Sequence, residues 1–103
     1  MDRHADAISA LRRAVLESSG VTSPEARSTA AAGEPTGTAA DDYLRKVRGE
    51  SYRMADADIE ALRGAGLSED AIFELTLAAA LGEATRRFDR VIAALGPVGA
   101  ARG

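Results

Sequence analysis

The chain contains no cysteine and no tryptophan, a single histidine, three prolines, and only two tyrosines and two phenylalanines among its 103 residues. Without cysteine it has no disulfide, no thiol nucleophile, no thiolate zinc site and no cysteine-held iron–sulfur cluster. The one histidine, His4, lies near the start of the sequence. A Ser–His–Asp apparatus is out of reach unless His4 docks far from its neighbours. There is no signal-peptide hydrophobic region, and no apolar run approaches the ~20 residues that cross a bilayer. The sequence therefore predicts a cytoplasmic protein with no membrane partner. Thirteen basic and sixteen acidic residues are interspersed along the chain for a net charge of −3. That mixture offers neither the basic footprint of a nucleic-acid binder nor a polybasic lipid patch.

What the chain does have is alanine. Hydrophobic residues make up 46% of it, but small side chains each remove little area from water, at about 25 cal/mol per Å². A domain of this length is marginal to begin with. A thin monomer core predicts a homo-oligomer.

The apolar periodicity is helical throughout, and no alternating strand pattern of useful length occurs. Residues 4–18 place Ile8, Leu11, Ala14, Val15 and Leu16 on one face, and Gly20 stops the helix. Ser23-Pro24-Glu25 is a cap, a first-turn proline and a first-turn acid, opening a short helix to about Ala31. Residues 1–32 thus form an N-terminal helical segment. Residues 33–40, Gly-Glu-Pro-Thr-Gly-Thr-Ala-Ala, lack periodicity and read as a flexible linker. Asp41-Asp42 opens a helix whose apolar side is Tyr43, Leu44, Val47 and Tyr52, with Arg45, Lys46 and Arg48 facing water. Asp56 or a neighbour caps a helix carrying Ile59 and Leu62, which stops between Gly64 and Gly66. Ser68 caps the last helix, which is expected to end at Gly96-Pro97, leaving 97–103 as a disordered tail. The prediction is an all-α domain of about five helices, with its core in residues 41–96.

The segment Ala71–Leu81 is apolar on nearly every side, with Glu74 and Thr76 its only polar residues. Such a helix must be wrapped by protein on all faces. Glu74 is the odd residue within it. A carboxylate in that setting either finds a cation or hydrogen-bond donors, or its pKa rises. It is one candidate base, with Asp58 and Tyr52 as alternative acid–base groups. Arg86 and Arg87 are candidate anion ligands. Arg86 lies three turns and about 18 Å from Glu74 along a straight helix, so the two can meet only between antiparallel neighbours or across an interface. Asp56 and Asp58 point to different helix faces and make no metal pair. No other cluster has metal-ligand spacing, and no cofactor is indicated.

The stretch Leu62-Arg63-Gly64-Ala65-Gly66-Leu67-Ser68-Glu69-Asp70-Ala71-Ile72-Phe73-Glu74-Leu75, followed by Ala78-Ala79-Ala80 and Arg86-Arg87, resembles the carboxymuconolactone decarboxylase and alkylhydroperoxidase-D-like superfamily. The resemblance covers residues 41–95. It implies an all-helical scaffold assembled into trimers or hexamers by helix packing. Aligned on Gly66, the peroxidase branch's two cysteines fall on Ser51 and Met54, and its histidine on Asp58. Its proton-relay glutamate falls near Ala39 and Ala40, with Asp41 or Asp42 as neighbouring carboxylates. The histidine on which the decarboxylase branch depends has no counterpart in the matched region either. The expectation is a non-redox, non-catalytic oligomeric member acting as an interaction or small-ligand-binding module. Two alternatives stand beside it. One is an enzyme using Glu74 or Asp58, tyrosine and arginine on a small anionic substrate. The other is a regulatory protein partner of a catalytic homologue.

Overall fold

The computed structural model describes the backbone of residues 3–102 and the side chains of residues 6–96. Five α-helices follow one another: α1 (Arg3–Leu16), α2 (Pro24–Ala31), α3 (Asp41–Gly49), α4 (Asp56–Gly64) and α5 (Glu69–Arg102), with a 3₁₀ turn at Ser51–Arg53 between α3 and α4. There is no strand among the described residues. The all-α expectation holds, and the predicted serine caps act as written. Ser23 accepts the Ala26 N–H at 3.0 Å, with Pro24 in the first helical position. Ser68 accepts the Ala71 N–H at 3.1 Å. Gly33, at φ 78°, closes α2 by turning the Glu34 N–H back onto the Thr29 carbonyl (3.1 Å). Only glycine enters that left-handed region at no steric cost.

Helix α5 is the post against which the other four lean, and α2 makes the most extensive contact with it. The reason is side-chain size. Ala30 and Ala31 of α2 meet Ala78 and Ala79 of α5, and all four are buried. Gly82 completes the contact: the Ala31 carbonyl oxygen stands where a Cβ on residue 82 would be. Leu16, Tyr43, Leu44, Leu62, Ile72 and Leu75 fill the rest of the core. From the N-terminal segment, α1 and α2 contribute Leu16, Ala30 and Ala31 to the same cluster.

Several expectations are corrected. Within residues 33–40, read as a linker, Thr36 and Gly37 are tied to the start of α3. The Asp41 carboxylate accepts the Thr36 N–H (2.8 Å), the Thr36 hydroxyl (2.6 Å) and the Gly37 N–H (3.0 Å), and Ala40 is buried. Helix α5 does not stop at Gly96-Pro97 but runs through both to Arg102, where a loose tail was expected. A proline inside a helix costs roughly 3 kcal/mol, while the flanking Ala93-Ala94 and Ala100-Ala101 are the best helix formers there are. Leu11 is 51% exposed, because the face of α1 that meets α5 centres on Leu16. Tyr52, assigned to the inner side of α3, lies in the 3₁₀ turn and is 84% exposed. Helix α3 ends at Gly49, so the register that would have carried Tyr52 inward is lost. Lys46 and Arg48, expected to face water, are half-buried.

Candidate functional site

The polar side chains singled out by the sequence fall into three separate places. The first is the turn between α1 and α2. Glu74 points from α5 into it and accepts the Val21 N–H (2.9 Å), the Thr22 N–H (2.9 Å) and the Thr22 hydroxyl (2.5 Å). These donors, the Thr22 hydroxyl foremost, together with the charge of nearby Arg27, hold its carboxyl well below the ordinary 4.5, at about 2. Of the two fates open to such a carboxylate, this is the partnered one. A group that gives up its proton so readily is a feeble base at neutral pH. Gly20 is part of the same arrangement, because a Cβ there would lie 2.6 Å from Glu74 Oε1.

Arg27, on α2, is the group that sequence reasoning missed. It is 2% exposed. Its Nη1 donates to the Val15 carbonyl (2.8 Å) and its Nη2 to the Ser18 carbonyl (2.5 Å) and, at 3.4 Å, to that of Thr22. The Val15 and Ser18 carbonyls lie at and just beyond the end of α1, the negative pole of its dipole. The signal was present in the spacing. Arg27, Ala30 and Ala31 share one helix face, and the arginine is the only long side chain on it.

The second place is α4. Asp58 accepts the Ala55 N–H (2.9 Å), capping the helix, and pairs with Lys46 of α3 at 2.8 Å. The Lys46 hydrogen bond, followed by the Ala55 N–H, holds its carboxyl below the ordinary range. The positions that the resemblance sets against the peroxidase cysteines bracket the adjacent 3₁₀ turn: Ser51 opens it, exposed, and Met54 follows it, half-buried. Neither supplies a thiol. Asp41, the carboxylate near the relay position, is consumed by Thr36 and Gly37, which hold it below its ordinary value, while Asp42 is exposed and pairs with Arg45 (3.2 Å).

The third place is the middle of α5. Glu83 pairs with Arg86 (2.9 Å) and Arg87 (3.2 Å), and with Arg90 at 3.9 Å. Arg86 also donates to the Ala31 carbonyl (2.6 Å), and Arg87 to the Arg48 carbonyl (3.3 Å). The two arginines thus close the C-terminal ends of α2 and α3, favourable positions for cations. No hydrogen bond or ion pair joins Glu74, Asp58, Tyr52 or Arg86 to one another among the described residues. No group of three His, Asp or Glu side chains there could hold a metal ion, and no helix is long and apolar enough to cross a membrane.

One surface remains that belongs to none of these. Opposite its core side, α5 presents Phe73, Leu77, Phe88, Val91 and Leu95, all exposed, with Ala80 and Ala84, also exposed, between them. Phe73, at 64% exposure, is the extreme case. Beside it lies a hollow of about 280 Å³, walled by Tyr43, Ile59, Ile72 and Phe73 together with Arg63, Glu69 and Thr76. No family model, curated protein or solved structure matches the chain.

Proposed function

We propose that the chain is a non-catalytic helical module that works by assembling with copies of itself through the outer face of α5, on the scaffold of a divergent carboxymuconolactone decarboxylase-like protein. The single observation that carries this reading is the stripe just described. Its spacing of four, three, four, four, three and four residues, from Phe73 to Leu95, keeps one side of a helix continuously apolar. The large side chains of the stripe and Ile92 are each between about two-fifths and two-thirds exposed. Together they leave on the order of 500 Å² of apolar surface in water, at the top of the range for a monomer's largest patch (~300–600 Å²). With a polar rim this approaches the ~800 Å² that each partner gives up in a stable pair.

The occupant argued for is a second copy, running antiparallel. The N-terminal end of the stripe is flanked by Glu69 and Asp70 and its C-terminal half by Arg87 and Arg90, all exposed. Antiparallel pairing about a two-fold axis near Ala80 brings acids beside arginines at both ends. It also sets Phe88 of one copy against Phe73 and the hollow next to it in the other. Ala80 and Ala84 in the middle let the helices approach closely. Such a pair is isologous. Of the two assemblies that the resemblance implies, the hexamer, which can contain two-fold axes, accommodates it and the cyclic trimer does not.

The chemistry is consistent with assembly and not with turnover. Glu74 and Asp41 are saturated with donors, Asp58 is tied to Lys46 and its own helix cap, and Tyr52 stands alone on the surface. Sedimentation velocity tests the proposal. The wild-type chain is expected to sediment as a defined oligomer, and Leu77→Glu and Phe88→Glu as folded monomers by circular dichroism. A wild-type chain that is monomeric at high micromolar concentration overturns the reading, as does consumption of a hydroperoxide or decarboxylation of a lactone acid by the purified protein.

A further inference from the structure

The hollow beside Phe73 opens onto the core. Tyr43 and Ile72 in its wall are buried members of the main hydrophobic cluster, and Ile59 of α4 is half-buried. Phe73 stands at its edge with most of its ring in water. At about 280 Å³ the hollow lies just under the roughly 300–1,000 Å³ of ordinary small-molecule sites. It is well above the ~150 Å³ of an apolar cavity that takes up benzene. That is room for one ring and a short tail.

The polar groups of the wall are rich in acceptors. Thr76 gives its only hydroxyl hydrogen to the Ile72 carbonyl (2.6 Å), so in the 2.8 Å contact between Tyr43 and Thr76 it is Tyr43 that donates. The Tyr43 oxygen then keeps its acceptor capacity, with no donor to it among the described residues. Glu69, in the first turn of α5, is a second acceptor in the same wall. Its partner Arg63 is shared with Glu60, so two carboxylates stand against one guanidinium. Glu69 and Asp70 together outweigh the positive end of the helix on which they sit, about half a unit charge. Along one side of α5, Glu69, Phe73 and Thr76 follow one another over about 10 Å.

We infer that this hollow binds a small aromatic amine. The ring lies against Phe73 and over Ile59 and Ile72, the ammonium pairs with Glu69, and a hydroxyl or N–H on the far side of the ring donates to the Tyr43 oxygen. Aromatic contact with Phe73 adds to the apolar burial. An acid of the same shape meets an acceptor at either end and is rejected. The ring takes the space that Phe88 of a second copy fills in the antiparallel pair, so amine and partner compete. That competition rests on the assembly proposed above; the binding itself does not.

The test is a two-dimensional amide NMR titration of the full chain carrying Phe88→Glu, with tyramine, phenethylamine and 3-phenylpropionate in separate series. Saturable shifts are expected at the Ile59, Phe73 and Thr76 amides with both amines, and none with 3-phenylpropionate. Tyramine is expected to bind about three- to tenfold more tightly than phenethylamine. Adding Tyr43→Phe erases that advantage and leaves phenethylamine binding unchanged, a split that a purely structural role for Tyr43 does not produce. Phe73→Ala, at an exposed position, weakens both amines about two- to tenfold. Linear shifts with both amines, equal binding of 3-phenylpropionate, or a tyramine preference that survives Tyr43→Phe overturns the site. If Tyr43→Phe does not fold, undiminished binding by both Phe73→Ala and Glu69→Gln overturns it instead. Sedimentation of the wild type reads the competition: tyramine is expected to dissociate the assembled form. An assembly left intact by tyramine that saturates the Phe88→Glu variant overturns the competition. A monomeric wild type that binds tyramine as tightly as the variant overturns the assembly and leaves the site standing.

Discussion

Glu74 and Arg27 hold Thr22 from opposite sides. The carboxylate takes the Thr22 N–H (2.9 Å) and hydroxyl (2.5 Å), and the guanidinium reaches the carbonyl of the same residue (3.4 Å). One comes from α5 and the other from α2, so the α1–α2 turn is gripped by the two helices that form the main contact of the fold. Thr22→Val keeps the shape and the backbone donor but deletes the hydroxyl. It is expected to cost about 1 kcal/mol, read as a lower midpoint in urea with an unchanged slope.

Gly20 sits so close to Glu74 that the two substitutions are coupled. Gly20→Ala places a methyl 2.6 Å from the Glu74 carboxylate and is expected to lower the melting temperature by about 5–10 °C. In a Glu74→Ala background the obstacle is gone, and the same change should cost much less. Equal losses in the two backgrounds would mean that the close approach is not what keeps residue 20 a glycine.

At Gly82 the obstacle is backbone rather than a side-chain tip. The Ala31 carbonyl cannot swing away without moving α2, so Gly82→Ala is expected to cost about 3 kcal/mol, at the upper end for overpacking. Gly64→Ala is the matched control, because nothing lies within 4 Å of its added methyl and its φ is not positive. There the expected change is neutral to a gain of about 0.5–1 kcal/mol. Thermal melts of the two variants side by side decide the matter.

Acid should unfold the protein through a small set of carboxylates. Glu74 titrates at about 2 in the folded chain and near its ordinary 4.5 when unfolded, so on acidification the unfolded chain takes up the proton first. Its contribution is complete above pH 4.5 and drains away as the pH falls toward 2. Asp41, Asp58 and Glu83, each also held below its ordinary value, act in the same direction. Glu74→Gln is expected to be less stable at neutral pH and to lose less on going to pH 3. Wild-type and variant stability curves that run parallel from pH 7 to pH 3 would contradict this.

Much of the frame was readable because it is written in short-range signals. Ser23-Pro24, Ser68 and the glycines at 33 and 66 act within four residues of themselves, and each does what local stereochemistry requires. The grip on Thr22 is different, since residue 74 meets residues 21 and 22 across more than fifty residues and three intervening helices. Glu74 was visible as an anomaly, but its partners were not. Arg27 escaped notice because an arginine in a Ser-Thr-Ala helix looks like a solvated side chain, and its three carbonyl acceptors carry no side-chain signature. Residues 33–40 looked slack for a related reason. What ties them is Asp41, which reads just as well as an ordinary first-turn acid of α3. Of the candidate site, the sequence showed which residues were unusual and not which of them meet.

The central post of this fold is also its latest-formed part. On the ribosome α1, α2, α3 and α4 all emerge before residues 72–86, and each must wait for the surface that buries it. Ala30 and Ala31 have no partner until Ala78, Ala79 and Gly82 are made, roughly fifty residues and several seconds of synthesis later at ~5–20 residues per second. The nascent chain therefore passes most of its elongation without the surface that buries Ala30 and Ala31. Its core closes in one late event, when the middle of α5 clears the exit tunnel.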